Sequence, residues 1–309
     1  MHYKRKDMPM KHFILSVTVI FLCVQTLYPR QIDALEKPET SLSTCFEKTV
    51  EVASLTELAQ NIADYARTCK IELPVYLCYG FDVEPNELIT ELQKVGPDKF
   101  GRDGQYILSN INRVFVTSCN VKRTEYIKVK VQLDYKITER QELWLTKKIN
   151  TIIKNLKLSG LSDYEKFYRI YTYLLHRNEY ALCEDGCTPD MTYYTAVDAM
   201  KYGKSVCNGY SQVLHRMLSR AGLTSYTIIG TSSTTSELHI WNLVRLDGVY
   251  YYVDPTWDDE FVTNTNCTIE NSLYFLKGSR NFSNHQISEN STEILEQLNL
   301  NISRTDYNK

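Results

Sequence analysis

The 309-residue sequence has little glycine and little proline, 12 and 8 residues. It has no internal repeat and no low-complexity tract. Those shortages exclude a collagen-like rod and a Pro/Gly-rich disordered chain. Neither sign of charge dominates: 35 Lys+Arg stand against 37 Asp+Glu, a formal −2. No global attraction to nucleic acid is therefore expected. H-E-x-x-H, a P-loop, a dinucleotide fingerprint and an acidic loop of calcium type are all missing. No cofactor and no metal is expected. What is there is globular in composition, with 43% apolar and 23% charged residues. Tyrosine is heavily used, 23 residues against 10 Phe and 3 Trp, which suits pleated strands.

One apolar run stands out, Phe13 to Leu27, behind Lys4, Arg5, Lys6 and Lys11. A basic segment, about fifteen apolar residues and then Pro29 and Arg30 have the build of a secretory signal. The run is shorter than the roughly 20 residues that span a bilayer comfortably. Cleavage is expected after Ala34; because Ile32 suits the cleavage site only fairly, an uncleaved anchor at residues 13–28 is the alternative. Residues 1–35 are read as this leader, and the protein as secreted or held at the cell surface. Beyond it 30 Lys+Arg face 35 Asp+Glu, a mildly acidic soluble chain. Export makes disulfides permissible. Eight cysteines remain, so one free reactive thiol leaves an odd number for pairing.

Residues 36–44 are polar and read as a linker into a first α+β module, residues 36–159. Ser54 to Glu57 is a capping box, followed by Leu55, Leu58, Ile62, Tyr65 and Ala66 at helical spacing. Leu73 to Tyr79 reads as a strand, and Gly96-Pro97 and Gly101 to Gly104 as loop. From Ile127 to Ile137 apolar and polar residues alternate without a break, the pattern of a half-buried antiparallel strand. Thr138 to Gln141 and Ser162 to Glu165 are further capping boxes. The helices they open carry stripes at Leu145, Ile149, Ile152, Ile153 and Leu156, and at Phe167, Ile170, Tyr171, Leu174 and Leu175. A soft boundary is placed near residue 160. Residues 160–290 carry the chemistry, and residues 291–309 read as a polar tail prone to fraying.

Cys207 opens a helix with Val213, Leu214, Met217, Leu218 and Ala221 on its apolar side and Gly222 at its C-terminal end. A thiol there feels the positive end of the helix dipole, which favours thiolate. Gly209 permits close backbone approach. In an exported protein, a paired structural cysteine is the competing reading of Cys207 alone. Further on, Asp247-Gly248 between two β-rich runs is the signal of a two-residue type I′ hairpin. In that register Leu246 pairs with Val249, Trp241 faces Asp254, and His239 and Asp254 become diagonal neighbours on one face. Their backbones then lie about 7–8 Å apart, close enough for imidazole and carboxylate to hydrogen-bond. Asn242 points to the opposite face and reads as structural. His215, eight residues beyond Cys207, is too far from the thiol and reads as surface. Cys183 and Cys187 lack a second ligand pair and read as a disulfide loop rather than a zinc site.

Val206-Cys207-Asn208-Gly209-Tyr210, His239-Ile240-Trp241-Asn242 and Val253-Asp254-Pro255-Thr256-Trp257-Asp258-Asp259 together resemble the transglutaminase-like superfamily, in its bacterial-type exported members. Ala196, Gly203 and Lys204 also match the residues before the Cys. Tyr274 to His285 looks like the segment that closes such domains. The likeness covers about residues 160–285. It implies a papain-like α+β core, with the Cys helix packed on an antiparallel sheet that carries His and Asp. It also implies a triad in which Cys207 is the nucleophile, His239 its ion-pair partner and proton donor, and Asp254 the residue that orients His239. Trp241 would be a wall of the site, in contact with substrate.

The substrate implied is a protein or peptide amide. Water as acceptor makes a peptidase or amidase and is preferred; a lysine amine makes a cross-linker. A silent surface-binding module is the alternative class. Neither nucleic acid nor membrane is an expected partner, apart from the N-terminal segment if it stays attached. Sequons at Asn266, Asn281, Asn290 and Asn301 would carry glycans in a eukaryotic secretory route.

Overall fold

A computed structural model describes residues 48–181, 193–232, 238–259 and 268–308. The N-terminal leader and the Cys183–Cys187 segment lie outside these. Among the described residues no helix is long and apolar enough to cross a membrane. The chain forms two compact units that divide between Lys136 and Ile137.

The first unit is a four-stranded sheet with helices. Strands β1 (Thr49–Val52), β2 (Val75–Tyr79), β3 (Ile111–Asn120) and β4 (Tyr126–Tyr135) lie in the order β1-β2-β4-β3. β1 runs parallel to β2, and the other pairs are antiparallel. β4 keeps the expected alternation, burying Val129, Val131 and Leu133 while Lys130 and Gln132 are exposed. Helix α1 (Leu55–Ala66) starts where Ser54 accepts the Glu57 N–H at 3.1 Å and buries Leu58, Ile62 and Ala66. Helix α2 (Pro85–Phe100) runs through Gly96 and Pro97, which corrects the loop expected there. Leu88, Leu92 and Val95 are buried on one side, and that stripe carries the helix onward despite the low helix propensity of glycine. Residues 101–103 form a short turn, and α3 (Gly104–Ser109) completes the unit.

The second unit begins with α4 (Glu139–Asn155) and α5 (Asp163–Arg177). Both start with the reciprocal capping boxes read from the sequence, Thr138 with Gln141 and Ser162 with Glu165. The boundary near residue 160 therefore falls inside this unit. The five stripe residues of α5, Phe167 to Leu175, are all buried. Strand β5 (Glu179–Tyr180), α6 (Ala196–Tyr202) and β6 (Lys204–Ser205) lead into α7 (Cys207–Arg220). Strands β7 (Ser225–Ser232), β8 (Leu238–Leu246), β9 (Val249–Val253) and β10 (His285–Ile287) form one antiparallel sheet in the order β10-β7-β8-β9. This is the α+β layout expected, with the Cys helix packed on the sheet that carries His239.

Helix α7 is buried from Asn208 to Leu218 on every side, because the sheet covers one face and α4, α5 and α6 cover the others. Its polar residues are consequently bonded inward. Ser211 Oγ donates to the Ile240 carbonyl at 2.9 Å, and Asn242 Nδ2 donates to the Ser211 carbonyl at 3.1 Å, which pins the first turns of α7 to β8. His215 is buried, 3.0 Å from Ser225 Oγ, a correction of the surface position expected for it. Arg216 pairs with Glu142 of α4 at 2.6 Å, both buried, with Thr146 Oγ1 also accepting from the guanidinium.

The segment after residue 290 does not fray. It forms helix α8 (Glu289–Gln297) and then a strand-like stretch whose Asn301 and Ser303 exchange backbone hydrogen bonds with Tyr250. Leu295, Leu300 and Ile302 supply the reason, since they cover the apolar cluster of Ile228, Trp241, Leu243, Tyr250, Tyr252 and Phe282. Burial of those side chains outweighs the polar composition around them.

The Arg216–Glu142 pair generates a stability prediction. Removing one partner of a buried ion pair strands the other charge, so Glu142→Ala should cost about 3–5 kcal/mol. The double change Glu142→Leu with Arg216→Met should cost much less. Urea unfolding of the three proteins checks this, and equal losses would show that charge is not what holds α4 to α7.

Candidate active site

The β8–β9 hairpin sets the site. Asp247 and Gly248 have φ of 51° and 83°. Positive φ at both central positions is the type I′ turn read from the sequence. Leu246 pairs with Val249 and Asn242 with Val253, so the register is the expected one. It carries forward to put Asp254, one residue beyond β9, on the same face as His239. Asp254 then caps the helical turn formed by residues 255–259. Its Oδ1 accepts the Thr256 N–H at 2.9 Å and the Trp257 N–H at 3.2 Å. Asp followed by Pro255 is the ordinary chemistry of a helix start, an acceptor side chain before a residue with no N–H to satisfy.

The other carboxylate oxygen, Oδ2, lies 2.6 Å from His239 Nε2. Asp254 has no exposed surface and His239 is 7% exposed. Burial, the largest effect on His239, pulls its proton affinity down. The charge and hydrogen bond of Asp254, with Cys207 as a further hydrogen-bond partner, outweigh it and push the imidazole up to about 10. Burial likewise pushes Asp254 up, but His239 and His285 together hold it well below the usual carboxylate range. Because Nε2 is taken by Asp254, the nitrogen left for Cys207 is Nδ1.

Cys207 is a free thiol at the first position of α7, half-buried. No side chain caps that helix end at Val206. Asn208 Nδ2 donates to the Tyr194 carbonyl at 2.5 Å and fixes the start of the helix. A Cβ on Gly209 would sit 2.4 Å from Ser205 Cβ and 3.2 Å from the Thr195 carbonyl, so only glycine admits this close approach. Cys207, His239 and Asp254 are thus brought together in one chain of contacts. The side chain of Trp241 is fully buried beneath the imidazoles, with its ring centroid 6.0 Å from that of His239. It belongs to the apolar core behind the site, a correction of the substrate-contacting wall expected for it. Asn242 points away to α7, as expected.

Three further groups were not assigned from sequence. His285, on β10, places its Nε2 2.9 Å from the same Asp254 Oδ2. Trp257 stacks on His239, centroids 4.9 Å apart and planes inclined by 16°. Asp258 is fully buried and accepts from Tyr171 Oη at 2.6 Å, from Ser272 Oγ and from the Tyr274 N–H. Burial first, and then the Asp254 charge, push Asp258 up to about 7 against those hydrogen bonds. Adjacent Asp259 accepts from Tyr210 Oη of α7 at 2.6 Å. The V-D-P-T-W-D-D string was visible, but which acid faces which partner depends on a helical turn that alternation cannot forecast.

His239, Asp254 and His285 have donor atoms within 4.8 Å of one another, a grouping that suits a metal ion in number and type. Two short N···O contacts to one carboxylate oxygen, however, are N–H···O hydrogen bonds. Each Nε2 is then a donor and has no lone pair to offer a metal.

The pair implies a pH window for stability. A raised imidazole contributes fully below its unfolded value of about 6.5 and loses that contribution as pH climbs toward about 10. A depressed carboxylate contributes above its unfolded value of about 3.9 and loses it in acid. The stability gap between the natural protein and Asp254→Asn should therefore be widest between about pH 4 and 6.5 and should shrink steadily toward pH 10. Urea midpoints measured across pH check this; a gap that stays constant to pH 10 would mean the two groups are not an ion pair.

Comparison with known proteins supports the same core. Residues 150–255 match the family described as the transglutaminase-like superfamily. The mouse kyphoscoliosis peptidase is 29% identical over 141 residues, covering 41% of this chain and 21% of that protein. The human kyphoscoliosis peptidase is 26% identical over the same extent. The chain thus spans about a fifth of the length of these curated relatives. Among solved structures, a TGase is similar at 13% identity with a TM-score of 0.34, covering 62% of this chain and 57% of that one. Legionella pneumophila LapG is similar at 11% identity with a TM-score of 0.28, covering 38% and 62%. Residues 150–255, which contain Cys207, His239 and Asp254, are a transglutaminase-like superfamily domain.

Proposed function

We propose that the protein is an exported cysteine-dependent enzyme that transfers the acyl group of protein or peptide amides, with water as the preferred acceptor. The observation that carries this reading is His239, buried between the Asp254 carboxylate at 2.6 Å and the Cys207 thiol. A purely structural histidine has no need of both. The Cys207 thiolate attacks the amide carbonyl carbon, and the oxyanion that forms faces the N–H groups at the start of α7. His239 gives its Nδ1 proton to the departing amine as the C–N bond breaks, leaving a thioester on Cys207. Water, losing a proton to His239, then attacks the thioester carbon, and the C–S bond breaks to release the acid and restore the Cys207 thiolate beside the protonated imidazole. Asp254 holds the ring in the orientation that serves both steps and balances its charge.

Hydrolysis is favoured over cross-linking because the curated relatives similar to this chain bear the name peptidase. Export rests on the basic and apolar leader; N-terminal sequencing of secreted protein should begin at or near Leu35.

Alkylation of Cys207 by iodoacetamide tests the chemistry. The reaction should be fast near neutral pH, because the imidazolium holds the thiolate beside it. His239→Ala should slow it sharply, Asp254→Asn less so. Amide turnover should fall by about 10²–10⁴ in His239→Ala and vanish in Cys207→Ala. Slow alkylation that ignores His239 would point to a silent binding module. Given a glutamine peptide and a primary amine, acid product alone identifies a hydrolase, and amine incorporation a cross-linker.

A further inference from the structure

Two imidazoles share one oxygen of Asp254, and they are not equivalent. His239 reaches Oδ2 from β8 at 2.6 Å and has Cys207 on its other side. His285 reaches the same atom from β10 at 2.9 Å, and its side chain is 1% exposed. Around the His285 ring stand Phe282, stacked with centroids 3.9 Å apart, Trp257 at 4.4 Å, Trp241 edge-on at 4.7 Å and Tyr274 at 5.7 Å. Its Nδ1 is buried with no hydrogen-bond partner among the described residues.

That environment fixes the ring's protonation by simple accounting of donors. Nε2 faces a carboxylate oxygen and must carry hydrogen. A second hydrogen on Nδ1 would leave a charged N–H against aromatic carbon with no acceptor, an expensive arrangement. A bare lone pair there costs far less. Among the described residues, the charged and titratable groups near this ring are Asp254, His239 and the Tyr274 phenol, with Asp258 behind Asp254. Burial first, and the neighbouring His239 as well, hold His285 below the ordinary imidazole value in spite of Asp254.

We propose that His285 is a positioning residue of this site, a permanently neutral donor that anchors Asp254 Oδ2 and draws off part of its charge. The idea rests on the acyl-transfer reading above. Catalysis by His239 needs a proton that is held at neutral pH and yet given up to the leaving amine. A carboxylate bound to His239 alone would hold that proton too firmly. A hydrogen bond from a second ring stabilises the anionic form of Asp254 by itself and so weakens its demand on His239. The anchor comes from the far edge of the sheet, two places from β8 and three from β9, since β10 pairs with β7 through His285 and Ser232. It therefore also fixes the carboxylate against rotation out of the hairpin plane.

The test compares the full-length natural protein with His285→Phe, which keeps the stacked ring without the donor, and His285→Gln, which returns an N–H near the place of Nε2. The pH at which His239 loses its proton is read by nitrogen NMR, and Cys207 alkylation by iodoacetamide near neutral pH is followed beside it, with His239→Ala as control. In His285→Phe the His239 midpoint should move up by about half a pH unit or more, while amide turnover falls about tenfold. His285→Gln should move both back toward the natural protein. A His239 midpoint that is unchanged or lowered in His285→Phe, or left unrestored by Gln, overturns the proposal. Should His285→Phe not fold, nitrogen NMR of the natural protein decides. His285 should stay neutral and protonated on Nε2 from about pH 5 to 9, a range that spans the unperturbed imidazole value; a ring that titrates, or carries its proton on Nδ1, overturns the proposal. Failure of the acyl-transfer reading would look different: slow alkylation of the natural protein that is indifferent to His239→Ala.

Discussion

Asp254 has no exposed surface, and an ionised carboxylate in that position is strongly destabilising unless its lone pairs are occupied and an opposite charge stands beside it. Both conditions are met by groups from separate places in the chain. The helical turn after β9 supplies two backbone N–H groups, β8 supplies His239, and β10 supplies His285. The cost of burying this one charge thus ties three segments to a common point. The same groups that make the burial tolerable also make the imidazole cationic beside a thiol. The burial of the carboxylate and the charge of the imidazole here have one cause.

A second acid layer lies behind the first. Asp258 is bonded to Tyr171 of α5, and Asp259 to Tyr210 of α7. The loop that carries Asp254 is therefore attached on one side to the helix bearing Cys207 and on the other to a neighbouring helix. Tyr171 and Tyr210 are raised by burial and by those carboxylates, so both phenols remain donors throughout the ordinary pH range. This is how a thiol at a helix start and a carboxylate at a hairpin end keep a fixed separation, although no strand joins them directly.

How much of this was legible in the sequence depended on whether the determinant was local. The hairpin was, because Asp247-Gly248 names its own turn and a period of two then places His239 and Asp254 on one face. The capping boxes and the α5 stripe were legible for the same reason. His285 was not: it follows a loop, and its place is set by pairing of β10 with β7, which nothing in residues 274–285 announces. His215 was misplaced because helix periodicity assumes one wet face, and α7 has none. The polar tail was misjudged in the same way, since Leu295, Leu300 and Ile302 are too sparse to stand out by composition yet all land on one apolar cluster. Gly96 and Pro97 are strong breakers only where no buried stripe carries the helix past them.

The closure of the hairpin by later segments bears on the order in which the unit can be assembled. His239 and Asp254 are 15 residues apart and meet through a two-residue turn, a contact that closes on the microsecond scale of hairpins. Tyr171 to Asp258 spans 87 residues, and Tyr307 to Asp247 spans 60; contacts of such sequence separation form late because their loop entropy must be met first. The imidazole and carboxylate can thus find each other in a chain that is still open to water, where their attraction is weak. Only the long-range closures remove that water. The strength of this buried pairing is consequently a product of the last folding events rather than the first, and an incompletely folded chain would hold the right residues in the right register with little of their mutual attraction.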